Sequence, residues 1–210
     1  YYADRIYQIN LAIAGIAIST VALPELSKKL KTGNIPEALR IQNKSIELCL
    51  LLSIPACAGL IIASQQITSA LFGYGSFLET DVLLTSQALK YFGYGVPAFA
   101  LIKVLSNFFF ARDNTKLPFY ISVISVFLNI FISVIYFKEM GFIIIPIATS
   151  IATWCAVLIY IILLLKLKYF EISSTFYIYF IKTIISGVIM SLLLYFLINF
   201  FEDKLIYTNY

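Results

Sequence analysis

The groups in this 210-residue chain best placed to do chemistry are cations set in apolar sequence. On a helix of 3.6 residues per turn, Arg5, Gln8, Ala12, Gly15 and Ser19 fall within a sector of about 80°, with Asp4 beside it. The other faces of that stretch are mostly Ile, Leu, Val and Ala. A guanidinium offers a planar fork of donors that suits phosphate, so Arg5, Gln8 and Asp4 form a candidate binding set for an anionic, phosphate-bearing substrate. Two structural uses of Arg5 stay open, snorkelling to the outer interface and pairing with Asp4. Lys103 lies near the middle of another apolar stretch, where a charge costs about 2.5–3.5 kcal/mol, so it is expected to face a cavity. Phe99, Ser106 and Asn107 share its helical face. Its use is substrate binding or gating, or a bond to a backbone carbonyl or a carboxylate. Lys182 sits only a turn or two inside the last apolar stretch and is expected to snorkel.

Covalent and metal chemistry find little support. There is no histidine, and Cys49, Cys57 and Cys155 are isolated in apolar segments without a CxxC spacing, which suits small packing residues. No phosphate-binding glycine loop, H-E-x-x-H or nucleophile elbow occurs. An enzyme acting on lipid-linked phosphates would need Asp, Glu or His clustered at a membrane edge, and the sequence offers no such cluster. Asn129, Ser133, Thr149, Ser150 and Thr153 suit hydrogen bonds between helices or the ligation of a small cation. Ala148, Ala152 and Ala156 recur every four residues and offer a surface for close helix approach.

These residues must be positioned by helices in lipid. The chain is 61% hydrophobic and 12% charged, with a mean hydropathy of +0.92, against about 25% charged residues in soluble domains. Six apolar stretches are long enough to cross a bilayer, near residues 3–23, 46–63, 91–111, 117–137, 142–165 and 176–201. The expected fold is therefore an all-α polytopic transmembrane bundle of about six spans. Tyrosine, with 15 copies against a single Trp, is expected to supply the interfacial anchors. Pro24 and Gly141 punctuate the spans, while Pro55, Pro97 and Pro146 lie inside them and predict kinks that neighbouring helices repair. The loops after spans one, three and five carry nine Lys and Arg, whereas Arg5, Lys90, Lys138 and Lys204 are the four on the other side. The positive-inside rule then places the first end of span one outside. The net charge of +4 reflects those loops and calls for no nucleic-acid partner. Residues 25–44 read as a cytoplasmic connector of two short helical stretches around Gly33-Asn34-Ile35-Pro36. Residues 64–90 read as a long outer loop in which Glu79 and Asp81 form a gate or rim, or an ordinary linker.

The ordered motifs carry a resemblance. Tyr2-Ala3-Asp4-Arg5-Ile6-Tyr7-Gln8, then Gly15-Ile16-Ala17 and Leu23-Pro24-Glu25-Leu26-Ser27, are similar to the eighth span of the MurJ/MviN lipid II flippases. Phe72-Gly73-Tyr74-Gly75, Ala88-Leu89, Lys103-Val104-Leu105, Phe109-Phe110-Ala111 and Asp113-Asn114-Thr115-Lys116-Leu117-Pro118 follow in the family's order. The likeness covers nearly the whole chain and is weakest after residue 165. It implies the fourteen-helix, two-lobed multidrug/oligosaccharidyl-lipid/polysaccharide exporter fold, of which this chain would supply about the eighth to the thirteenth spans. Residues 1–165 would then belong to the C-terminal lobe, and 166–210 would add a further span and tail.

The resemblance also implies an activity, the flipping of lipid II across the bacterial inner membrane by alternating access. Arg5 would meet the pyrophosphate, Lys103 would be a second basic position, and the drive would be the membrane potential or an ion gradient. No cofactor is implied. In some relatives a sodium ion binds between spans, and Asn129 and Thr149 match two ligand positions, but Ser133 stands where a carboxylate is called for, which argues against sodium here. The expected partners are lipid II, membrane lipid and a missing N-terminal lobe, since a chain opening on Tyr1 reads as part of something longer. The rivals are a drug/cation antiporter or polysaccharide-repeat flippase of the same fold, and a non-transporting scaffold.

Overall fold

The structure, a computed structural model, describes residues 1–200. The last residue of the sixth expected span and Lys204 lie outside the described residues.

Among the described residues there are helices and turns and no strand. The first span is one rod, Tyr2–Lys31, made of α1 (Tyr2–Leu11), a wide π segment (Ala12–Ala17) and α2 (Ile18–Lys31). Then come α3 (Ile35–Ile62), the short α4 (Ser64–Phe72), α5 (Glu79–Phe110), α6 (Lys116–Met140), α7 (Ile144–Lys166) and α8 (Ser174–Phe200). Five helical stretches are long and apolar enough to span a membrane, and one of them, Lys116–Lys166, runs for 51 residues. It doubles back on itself, because Ser125 reaches the carbonyl of Ala152 and Asn129 reaches Thr149, an antiparallel register. The chain is thus a polytopic helical membrane protein with six passes.

Two stretches differ from their sequence-based expectation. Residues 25–44 form no separate connector: α2 runs straight on to Lys31 and α3 starts at Ile35, leaving a turn of three residues. Asn34 caps α3 by accepting from the Glu37 amide at 3.3 Å, and Pro36 sits in the first turn, where its missing N–H is harmless. Likewise, residues 64–90 are mostly helical, since α4 occupies the beginning and α5 starts at Glu79. Both stretches are polar enough to read as loops, yet the first is made of the ends of two long helices and the second of the short α4 and the first turns of α5.

The centre of the bundle is α5, which packs against α1, α2, α3, α4 and α7. Its buried face includes Leu101, Val104, Leu105, Phe108 and Phe109, which join Leu26 of α2, Cys49 of α3 and Tyr160 of α7 in one core, while Val96 joins Ala3 and Ile6 of α1 and Leu60 of α3 in a second. At the edges α6 packs along α7 and α8 along α3. Their outer faces expose Phe127, Ile130 and Val134, and Leu192, Leu193 and Phe196, the surface a helix turns to lipid. Pro97 withholds an N–H from the preceding turn of α5. In that turn the Ser150 hydroxyl donates to the Tyr91 carbonyl and the Trp154 indole donates to the Tyr94 carbonyl, both at 2.9 Å, tying α7 to α5 on either side of the Gly93 carbonyl that the proline leaves free.

The reversal between α6 and α7 depends on Gly141, whose φ of +61° and ψ of −144° belong to a region that residues with a Cβ avoid. Gly141→Val is expected to destabilise this hairpin by about 1–3 kcal/mol. Thermal unfolding of the full-length protein in detergent should fall accordingly, and an unchanged midpoint would show that the turn can adopt another geometry.

Candidate functional site

Arg5 lies on the exposed side of α1, near the end that the loop charges place outside. Asp4 and Arg5 do not pair. Adjacent residues on a helix point about 100° apart, whereas Asp4 and Gln8 are one turn apart and meet. The Gln8 amide donates to the Asp4 carboxylate at 2.6 Å, while Arg5 Nη1 only approaches the Gln8 oxygen at 3.4 Å. The Arg5 guanidinium also lies 5.0 Å from the Tyr1 ring centroid. The one ion pair among the described residues joins Arg40 to Glu37. Gln8 therefore holds the nearest acid and leaves the Arg5 fork without a carboxylate partner.

The polar stripe expected below Arg5 does not continue straight. Through the π segment the ladder closes over five residues instead of four, which turns everything below it relative to an ideal α-helix. Gly15 is buried, and a Cβ built on it would lie 3.1 Å from the Ala100 Cα. It seats the rod against α5 and does not line an open face, whereas Ala12 is exposed and Ser19 half-buried.

Lys103 is exposed and lines a groove of about 820 Å³ between α2, α5, α6 and α7. Ser19, Ser106, Asn107 and Ser122 add polar atoms to its walls. Asn107 donates to the Ser19 carbonyl at 2.8 Å, fixing α2 on α5 beside the groove. The rod and α5 run parallel, because Tyr7 stacks on Phe92, Gly15 meets Ala100 and Ser19 meets Asn107. Arg5 is therefore level with about residue 91, and Lys103 lies roughly 18 Å farther along the axis at 1.5 Å per residue. The structure does not bring the two cations to one point. Lys182 is exposed on α8.

This arrangement, helices packed around a central one with an arginine free of any carboxylate on an open face, can be set against known proteins. The family model described as "Lipid II flippase MurJ" matches residues 1–210. The chain belongs to this flippase family. A probable lipid II flippase MurJ of Rickettsia prowazekii (strain Madrid E) is 42% identical over 153 residues, covering 73% of this chain and 30% of the relative. One from Haemophilus influenzae (strain ATCC 51907 / DSM 11121 / KW20 / Rd) is 32% identical over 199 residues, covering 90% of this chain and 38% of the relative. A solved structure, lipid II flippase MurJ in an inward closed conformation, superposes with a TM-score of 0.76 at 27% identity, over 96% of this chain and 46% of that one. The chain spans less than half the length of these relatives.

The pair that resemblance to this family linked to sodium sits together between α6 and α7. The Asn129 amide donates to the Thr149 hydroxyl at 2.9 Å, the Ser133 hydroxyl donates to the Asn129 oxygen at 3.4 Å, and the Thr149 hydroxyl donates to the Ile145 carbonyl at 2.7 Å. These bonds tie α6 to α7, the interhelical use these residue types suit, and among the described residues there is no group of three or more acids, Cys or His that could hold a metal. Asp81, one of the two acids expected at an outer rim, accepts from the Leu78 amide at 3.0 Å and so closes the start of α5.

Two polar residues escaped the sequence reading. Asn43 is buried on α3 and ties the α7–α8 linker, donating to the Glu171 carbonyl at 2.9 Å and accepting from the Ser173 amide at 3.1 Å. Arg112 caps the end of α5 by donating to the carbonyls of Phe108 and Tyr169, each at 2.7 Å. Burial pushes the Arg112 guanidinium below its ordinary value, with Tyr169 opposing, and an arginine stays charged under such a shift. Asn43 is a polar residue inside α3 and Arg112 a basic one just past the end of α5, and neither position carries a motif.

Proposed function

We propose that the full-length protein carrying this chain moves lipid II from the inner to the outer leaflet of the bacterial inner membrane by alternating access, as a transporter that breaks no covalent bond. The observation that carries this reading is Arg5, a guanidinium on the open side of α1 whose neighbouring acid is held by Gln8. A fork of donors left free in this way can take a pyrophosphate bidentately. Gln8 and Asp4 act as its positioning pair.

The axial gap between Arg5 and Lys103 gives them different tasks. A phosphate group cannot touch both at once, so Arg5 serves the outer half of the path and Lys103 the groove nearer the cytoplasm. The headgroup passes from one to the other as the lobes rock around the site. The remaining lobe comes from sequence beyond the span covered here, and the drive is the membrane potential or a cation gradient.

The test is reconstitution of the full-length protein in vesicles loaded with lipid II on the inner leaflet, with an impermeant enzyme reading the amount that reaches the outer one. Translocation that stops when the potential is collapsed is expected. Rates no greater than those of protein-free vesicles, with the protein folded, would overturn the proposal.

A further inference from the structure

On the side of α2 turned to α3, away from the Lys103 groove, runs a second groove of about 810 Å³. Ile13 and Val21 from the rod and Leu48 and Leu52 from α3 form apolar walls, and Arg40 and Lys44 stand at one end. The helices are antiparallel here, joined by the turn after Lys31, so the basic end is the end that the loop charges place in the cytoplasm. From Glu25 at the mouth to Ile13 the rod climbs roughly 18 Å. That is close to the depth of one leaflet, half of a hydrocarbon core of about 30 Å. Val21 is 70% exposed and Ile13 56%, so the groove is open along this length.

The mouth has a charge bias. Arg40 and Lys44 line it against Glu25, and the helix ends joined here add Lys28, Lys29 and Lys31 against Glu37 in sequence. Glu37 is taken by Arg40 at 2.7 Å, while Lys44 has no carboxylate within ion-pair distance and rests 5.8 Å from the Tyr179 ring centroid. An apolar slot one leaflet deep under a crown of surplus cations is complementary to a single class of molecule, an amphiphile with an acyl chain and an anionic head.

We propose that this groove binds an anionic phospholipid of the cytoplasmic leaflet, its phosphate at Arg40 and Lys44 and one acyl chain along Val21 and Leu48. The occupant is bulk membrane lipid and not the transported substrate, because the groove is on the opposite side of α2 from Lys103 and neither Lys103 nor Arg5 lines it. The inference stands apart from the flippase reading: it needs only the membrane orientation and the groove.

The experiment places the full-length protein in nanodiscs without lipid II and adds phosphatidylglycerol bearing a photoreactive group on one acyl chain, with the phosphatidylcholine analogue as control. Crosslinked peptides are then mapped by mass spectrometry. Labelling within residues 13–22 and 45–52 should exceed that from phosphatidylcholine severalfold. The double variant Arg40→Gln, Lys44→Gln should lower it roughly 10- to 30-fold, as the removal of two surface cations facing anionic lipid implies. Both side chains are exposed, so folding should be unaffected. Val21→Trp, which fills the slot and keeps the crown, should also abolish labelling and guards against misfolding of the charge variant. Equal labelling by the two lipids would overturn the proposal. So would displacement of the label by equimolar lipid II, which would assign the groove to substrate, or an unlabelled groove in folded protein, which would mean that another segment of the full-length chain covers it.

Discussion

Arg5→Ala in the full-length protein is expected to cut lipid II translocation by about 100-fold or more and to abolish support of growth when it is the sole copy. The magnitude follows from the bonds lost. A bidentate guanidinium–phosphate contact comprises two charge-assisted hydrogen bonds, each contributing about 1.5–3 kcal/mol. With 1.4 kcal/mol per decade, their joint loss is worth roughly two to four decades. Arg5→Lys keeps the charge and loses the fork, so it should fall between, at about a tenfold loss. A merely structural arginine behaves differently. Arg5 is exposed and makes one long hydrogen bond of 3.4 Å to Gln8 and a cation–π contact with Tyr1, so its removal should change the unfolding free energy by no more than about 1 kcal/mol. Undiminished translocation by Arg5→Ala would remove the role given to it. A fall in stability matching the fall in transport would make the residue a packing element.

The membrane bundle was legible in the sequence because the bilayer imposes a length and a composition that nothing in water requires. Six apolar runs were enough to place the helices. Helix ends were less legible. Residues 25–44 carry Lys, Glu, Asn and Gly at a density that reads as loop, yet Asn34 caps a helix there and Glu37 with Arg40 supports its first turns. Hydropathy reports the slab of lipid, and helices continue past it for as long as local caps and ion pairs support them.

At the candidate site the limits have other causes. The Asp4–Gln8 bond could be anticipated from a spacing of four, and that spacing decides against an Asp4–Arg5 pair. The π segment could not. Ala12–Ala17 contains no breaker beyond Gly15, and the wide turn coincides with the seating of Gly15 on the backbone of α5 at Ala100, a long-range contact that a helical wheel does not contain. Extending an 80° stripe through it placed Gly15 on an open face when it belongs to the core. The separation of Arg5 from Lys103 was hidden for a similar reason. It depends on the axial register of two parallel helices, which is fixed by the Tyr7–Phe92 stack and the Asn107–Ser19 bond.

The end of the bundle where α5 meets the linker after α7 depends on a residue outside that site. Arg112 joins the end of α5 to the linker after α7 through two hydrogen bonds of 2.7 Å, and its guanidinium carbon lies 4.6 Å from the centroid of the Tyr169 ring. Arg112→Ala removes both donors and the stacked cation together, leaving the carbonyls of Phe108 and Tyr169 short of a partner. At about 1.5–3 kcal/mol for each hydrogen bond to a charged group, offset by water reaching the opened carbonyls, the expected loss is about 3 kcal/mol. Arg112→Lys can restore one of the two bonds and cannot reproduce the planar fork, so it should recover less than half. The damage should be local at first. Asn43 holds the same linker at the Glu171 carbonyl and the Ser173 amide, so amides of residues 167–170 should exchange faster while that of Ser173 stays protected. Only the double variant Arg112→Ala, Asn43→Ala should release the linker and with it the docking of α8 on α3. Hydrogen exchange on the full-length protein separates these outcomes: unchanged protection at 167–170 in Arg112→Ala would show that packing of Phe170 against Phe108 holds the linker without the arginine.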